Sequence, residues 1–207
     1  MIDIFLRFME SFMEIVRSEL KSAAKEQIKG NILTFFGLSV VIAIIISVSS
    51  AVFIGPIILD GVFNLGLALF MMEVVRTKKG NFETGFAGFK QFGTSFVASL
   101  LIMIFTFLWS LLFIIPGIIA SLRYSMTFYI IADNPEISGS DAIKKSKQMM
   151  TGHKWELFVL LLSFFWWYLL CAITLGIAAI YVAPYVTATL VNYYEKLKLE
   201  DSSQAAM

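Results

Sequence analysis

Charged residues cut this chain into three long apolar blocks. Residues 30–72 contain only Asp60, residues 91–132 contain only Arg123, and residues 157–194 contain no charge. Each block is about twice the roughly 20 apolar residues that a helix needs to cross a hydrocarbon core. Each also has helix-breaking residues at its middle: Gly55-Pro56, Pro116-Gly117 and Thr174-Leu175-Gly176. The pattern therefore predicts an all-α polytopic membrane protein of six transmembrane helices folded as three hairpins. The expected spans are 32–54, 57–75, 95–115, 118–132, 155–174 and 177–194. An amphipathic segment, 1–30, precedes a membrane domain, 31–198, and a polar tail, 199–207, follows it. Glycines recur at matched offsets, from Gly30 to Gly55, Gly93 to Gly117 and Gly152 to Gly176, which predicts a pseudo-threefold repeat of amphipathic helix plus hairpin.

The connections have their own periodicity. Over residues 11–29, Phe12, Ile15, Val16, Leu20, Ala24 and Ile28 recur at helical spacing opposite a row of Lys21, Lys25 and Lys29. Phe82, Phe86, Phe89 and Phe96 form an aromatic stripe in the second connection, interspersed with Gly85, Gly88 and Gly93, and read as an anchor at the membrane surface. In the third, Asp133-Asn134-Pro135 stops a span, and Ser138 with Asp141 has the spacing of a capping box. The basic helix that follows carries Lys144, Lys145 and Lys147 opposite Ile143 and Met150 and ends at Gly152. His153, Lys154 and Trp155 then lead into span five. Both basic rows fit anionic phospholipid head groups, or else a solvated helix edge.

Composition agrees with a bilayer protein: 58% of residues are hydrophobic and 15% charged, with mean hydropathy +0.81. Of 16 Lys and Arg residues, 15 lie in the tails or the two long connections and none in the tight turns. With six spans this places both termini in the cytoplasm. Glu10, Glu14, Glu19 and Glu26 precede the first apolar run, unlike a secretory signal. A net charge of +1 gives no field for nucleic acid. The lone Cys171 reads as a small packing residue.

Candidate chemistry is sparse. One histidine and one cysteine, with no zinc-protease, nucleophile-elbow or phosphate-loop motif, predict no catalytic residues, no metal and no cofactor. His153 and Glu156 share a helical face, as an acid–base pair or an interfacial hydrogen bond. Asp133 and Glu136 flank a helix break as caps or paired carboxylates. Within the spans, Asp60 lies five residues past Gly55 and Arg123 six past Gly117, at similar depth and of opposite sign. They form an ion pair, reach the outer water separately, or serve a substrate or proton. Asn64, Tyr124 and Tyr181 complete that expected intramembrane cluster. Ala179, Ala183 and Thr187 make a small-residue face suited to tight packing within the bundle or to a dimer seam with a second copy or another membrane protein.

Residues 82–198 carry Gly88-Phe89-Lys90, Trp109, Ile115-Pro116-Gly117-Ile118, Tyr124-Ser125-Met126 and Ala132-Asp133-Asn134-Pro135-Glu136-Ile137-Ser138. They continue with Ser146, Gly152-His153-Lys154, Leu162-Ser163-Phe164, Thr174-Leu175-Gly176-Ile177 and Pro184-Tyr185. In that order the stretch resembles a bacterial membrane family catalogued as domain of unknown function 975. Where that family has glycine before a span-five tryptophan, this chain has Phe165-Trp166-Trp167. The resemblance implies a bacterial cytoplasmic membrane. A distant likeness to the membrane domains of glycerophosphodiester phosphodiesterases implies lipid head groups. The function expected is a lipid-associated scaffold or accessory factor in envelope homeostasis, without catalysis of its own. The alternatives are a small transporter, channel or flippase built around Asp60 and Arg123, and an interfacial lipid-modifying enzyme.

Overall fold

The computed structural model describes residues 17–50, 55–112 and 114–205, and every regular element among them is helical. Helix α1 covers 17–27, α2 is Ile32–Ser49 and α3 is Gly55–Thr77. A 3₁₀ segment, η1, Phe82–Gln91, runs directly into α4, Phe92–Leu112. Then come α5, Ile114–Tyr124; α6, Thr127–Asp133; α7, Gly139–Met149; α8, Lys154–Leu162; α9, Phe165–Ile173; and α10, Ala179–Ala205. Glu10, Phe12, Glu14, Ile15 and Val16 of the expected first helix lie outside the described residues.

Five stretches are long and apolar enough to cross a bilayer: Ile32–Ser49, Gly55–Thr77, Phe82–Leu111, Ile115–Asp133 and Lys154–Ile173. They correspond to the first five expected spans. The sixth falls on α10, where Tyr181, Pro184, Tyr185 and Asn192 dilute the apolar run, and α10 is not among the five. Helix α2 shows why the bilayer is required. It is apolar around its whole circumference yet buries only Phe35, Leu38 and Ile42, leaving Leu33, Ile44 and Val48 exposed. Phe107 and Leu111 on α4 and Trp166 and Ile173 on α9 are exposed as well. Apolar surface of this extent is rare in water and suits hydrocarbon.

The core forms around α3. Leu65, Phe70, Met71 and Val74 pack with Ala24 of α1, Ile28 just after it, Phe35 and Leu38 of α2, Ile130 and Ile131 of α6, and Ala188 and Val191 of α10. The aromatic connection is not a stripe laid apart from the bundle. At three residues per turn, Gly85 and Gly88 of η1 fall on one face, and that face is pressed to α3 and α2. A side chain on Gly85 would strike Leu38, one on Gly88 the Val62 carbonyl, and one on Gly66 the Gly85 carbonyl. Phe89 turns its ring edge-on to Phe63 at 5.7 Å. The phenylalanines therefore grip the bundle because the glycines bring the two backbones together.

Two expected spans are interrupted. The fourth breaks at Ser125-Met126 between α5 and α6, and the fifth at Ser163-Phe164 between α8 and α9. Ser125 Oγ bonds back to the Leu122 carbonyl at 2.8 Å, and Ser163 Oγ to that of Leu160 at 2.5 Å, the local competition by which serine bends a helix. Gly30, Gly152 and Gly176 adopt left-handed φ of 83°, 90° and 91° at the α1–α2, α7–α8 and α9–α10 junctions. Gly93 lies inside α4 and makes no such turn, because η1 continues into α4 without reversal.

Candidate functional site

At one end of the bundle two carboxylates gather the charged groups of four helices. Asp133, closing α6 and 9% exposed, accepts from Arg76 Nη2 of α3 at 2.7 Å, and from Lys198 Nζ at 2.7 Å and Tyr194 OH at 2.9 Å of α10. Arg76 Nε also donates to Glu195 at 2.8 Å. Glu156 of α8 accepts from Lys196 Nζ at 2.6 Å and Tyr193 OH at 3.3 Å, and lies 3.3 Å from His153 Nδ1. The His153–Glu156 contact foreseen from spacing is thus part of a clasp in which each carboxylate has several donors. Glu136 takes no part in it. Arg76, Glu195, Lys196 and Lys198 were not singled out in the sequence. Arg76 and Lys198 lie 57 and 65 residues from Asp133, and no local spacing reports them.

Asp60 is handled differently. Its carboxylate accepts from Ser99 Oγ of α4 at 2.6 Å and from Asn64 Nδ2, one turn along α3, at 3.0 Å. The Ser99 contact exists because Gly61 lets α4 come against the α3 backbone at Ser95 and Ser99. Ser99, Thr106, Ser121, Tyr124 and Ser125 line, with Asp60, an open recess of about 370 Å³. Thr106 Oγ1 is buried there without a hydrogen-bond partner among the described residues.

The ion pair expected between Asp60 and Arg123 is not formed. The Asp60 recess takes Ser99, Ile102, Met103 and Thr106 from α4. Arg123 opens instead onto a recess that takes Leu101, Phe105 and Trp109, positions roughly 100° further round that helix. The two charges line different recesses, and Tyr124 alone of the expected cluster lines both. Tyr181 belongs to neither; its ring packs on Trp167 at 6.0 Å and Tyr185 at 5.9 Å.

The recess at Arg123 has a volume of about 400 Å³ and includes Ser140, Lys144 and Lys147 of α7. Helix α7 starts as the capping box predicts: Ser138 Oγ accepts from the Asp141 N–H at 3.1 Å and donates to its carboxylate at 2.7 Å. It then buries Ala142, Ile143, Ser146 and Met149 against its neighbours, and Ser146 Oγ donates to the Arg123 carbonyl at 3.0 Å. Lys144 pairs with Asp141 at 2.9 Å. Among the described residues neither Arg123 nor Lys147 has an acidic partner within 4 Å, and Arg123 Nε is buried without any partner.

The first basic row turns partly inward. Lys21 Nζ donates to the Ser163 carbonyl at the α8–α9 break at 3.1 Å and stands 4.1 Å from the Phe164 ring centroid. Lys25 stands 5.5 Å from the Tyr185 ring, and Lys29 pairs with Glu26 at 2.6 Å. Burial, with the charges of Arg17 and Lys25, pulls the Lys21 ammonium below its ordinary range. Lys145 is half-buried on α7. On α10 the closely packed face is Val182, Tyr185, Ala188 and Thr189. Of the small residues expected to make that contact, Ala183 is exposed, Ala179 is half-buried, and Thr187 lines a recess with Asn64 and Ser125.

A helical membrane protein, built on apolar spans and closed by a charged clasp, is the class these elements define. Within it, the chain belongs to the family described as protein of unknown function DUF975, which matches residues 13–120 and 111–201. No curated protein and no solved structure matches the chain, so the likeness to glycerophosphodiester phosphodiesterase membrane domains has no counterpart among them. Tyr124-Ser125-Met126, Asp133 and Leu162-Ser163-Phe164, among the residues on which the resemblance was drawn, fall on the two helix breaks and the clasp.

Proposed function

We propose that this chain is a lipid-associated scaffold or accessory protein of a bacterial cytoplasmic membrane, active in envelope homeostasis and without catalysis of its own. In this reading α10 is the sixth span, so the ends and both long connections share the cytoplasmic side. The observation that carries it is the separation of charge. Carboxylates and cations at the clasp neutralise one another, while the lysines of α1 and α7 lie beside apolar surfaces where phosphate head groups would meet them. Two measurements test it. In sealed cells lacking Cys171, an impermeant thiol reagent should label Leu175→Cys and miss Lys79→Cys and Lys145→Cys; the reverse pattern defeats the topology. Replacing Lys21, Lys25, Lys29, Lys144, Lys145 and Lys147 with glutamine should release co-purified anionic phospholipid, at about 1 kcal/mol per lysine.

The hydroxyl-lined recess at Asp60 favours a second reading, a small transporter or flippase. There Asp60→Asn would leave folding intact and abolish a proton- or cation-coupled flux in proteoliposomes.

A further inference from the structure

We infer that the recess between α4, α5 and α7 binds one phospholipid, its phosphate held by Arg123 and Lys147 and an acyl chain lying along Phe105 and Trp109. This rests on the reading of the chain as a lipid-associated membrane protein and assigns that association to one place.

The amphipathic pattern of α7 accounts for its buried face, and the packing of that face accounts for where its lysines go. With Ser146 fixed to the Arg123 carbonyl, Lys144 and Lys147 enter the recess onto which the guanidinium opens. Three cations lining one recess repel one another. Asp141 answers Lys144, which leaves two positive charges beside one another without an acidic partner among the described residues. Buried charged N–H groups are nearly always bonded, and at the clasp they are. Arg123 Nε is buried and unbonded. A forked guanidinium beside an ammonium and the Ser140 hydroxyl suits the oxygens of a phosphate ester.

Free phosphate would leave the rest of the recess unexplained. Its other walls are Leu101, Phe105, Trp109 and Ile143. Past Trp109 and Arg123 it adjoins a second recess of about 240 Å³ formed with Pro116, Ile119 and Ala120. Phe105 and Trp109 of its wall, and Ile119 of the adjoining recess, are themselves exposed, so the trough is open to acyl chains of the bilayer. A cationic centre continuous with an apolar trough matches the head and tail of one phospholipid.

The test uses the full chain in mild detergent, titrated with phosphatidylglycerol and read by native mass spectrometry for lipid bound per protein. Wild type should retain one lipid, and Arg123→Gln should weaken retention about tenfold, with Lys147→Gln acting in the same direction. Diacylglycerol, which lacks the phosphate, and glycerol phosphate, which lacks the tails, should each fail to displace it. Wild-type retention by Arg123→Gln overturns the proposal. So does equal competition by glycerol phosphate, which would make this a soluble-phosphate site, or by diacylglycerol, which would make it an apolar groove. Should Arg123→Gln fold poorly, Arg123→Lys replaces it: loss of the fork with charge kept should still lower retention, and unchanged retention by both Arg123→Lys and Lys147→Gln overturns the assignment. Gln at Lys21, Lys25 and Lys29 should loosen the weaker phospholipid held along α1 and leave the recess lipid bound. If that triple variant strips it while Arg123→Gln does not, lipid association stands and the recess falls; if no form of the protein retains phospholipid, both readings fall.

Discussion

The clasp and the Arg123 recess use the same kinds of side chain to opposite ends. At the clasp, Arg76 and Lys198 converge on one buried carboxylate that a tyrosine also bonds, and Lys196 is matched to Glu156. In the recess, Arg123 and Lys147 converge on apolar walls. A cation whose hydrogen bonds are supplied by its own chain ties helices together; one buried without them is held ready for something outside the chain. The distinction lies in how fully each group is satisfied, which residue type does not reveal.

Five substitutions sharpen or break this contrast. The largest effect is expected for Asp133→Asn, which leaves Arg76 and Lys198 facing a neutral amide. Their partial exposure moderates the roughly 3–5 kcal/mol of a buried pair, so thermal unfolding in detergent should report a loss of about 2–3 kcal/mol. A loss near zero would mean that the clasp is ornamental. Glu156→Gln removes the second hub, and its half-buried partner Lys196 predicts about 1–2 kcal/mol by the same assay. If the two losses simply add in the double variant, the hubs are independent ties; a smaller combined loss would make them one network.

Ser138→Ala removes the α7 cap, at about 1 kcal/mol. Because α7 carries Lys144 and Lys147, it should also weaken phospholipid retention, whereas the Asp133 variant should not. Hydrogen bonds from Ser138 and Lys144 hold the Asp141 carboxyl below the usual aspartate range. The stabilisation of α7 by that carboxylate is therefore fully present above the ordinary aspartate range and is lost as pH falls through the lowered folded value. Hydrogen exchange of α7 amides should rise on acidification in wild type and lose that component in Asp141→Asn. The smallest effect on stability belongs to Arg123→Met, which deletes a guanidinium with an unbonded buried nitrogen: the expectation is no loss, or a gain of up to about 1 kcal/mol. A loss as large as that of Asp133→Asn would show that Arg123 serves the fold and would erase the contrast.

The sequence by itself determined whatever depends on neighbours within a turn or two, or on composition over a span. Twenty apolar residues in a row admit few environments besides a bilayer, so five spans and the turn at Gly176 follow from counting, whereas Gly55-Pro56 and Pro116-Gly117, expected as turns, lie within the first turn of α3 and of α5, where proline is tolerated. The Ser138–Asp141 cap and the His153–Glu156 contact follow for the same reason, since a helix brings residues three apart onto one face. Tertiary structure alone decided which distant residues meet. Equal depth suggested that Asp60 faces Arg123, but depth says nothing of azimuth, and the two line recesses on different faces of α4. Gly85 and Gly88 looked like interruptions in an aromatic stripe until α3 occupied the space their missing side chains leave. Asp133 read as a helix stop because its three donors come from residues 57, 61 and 65 positions away. A charge is paired or left for a ligand only when helices far apart in the chain have packed, because only then is it known which groups remain within bonding distance.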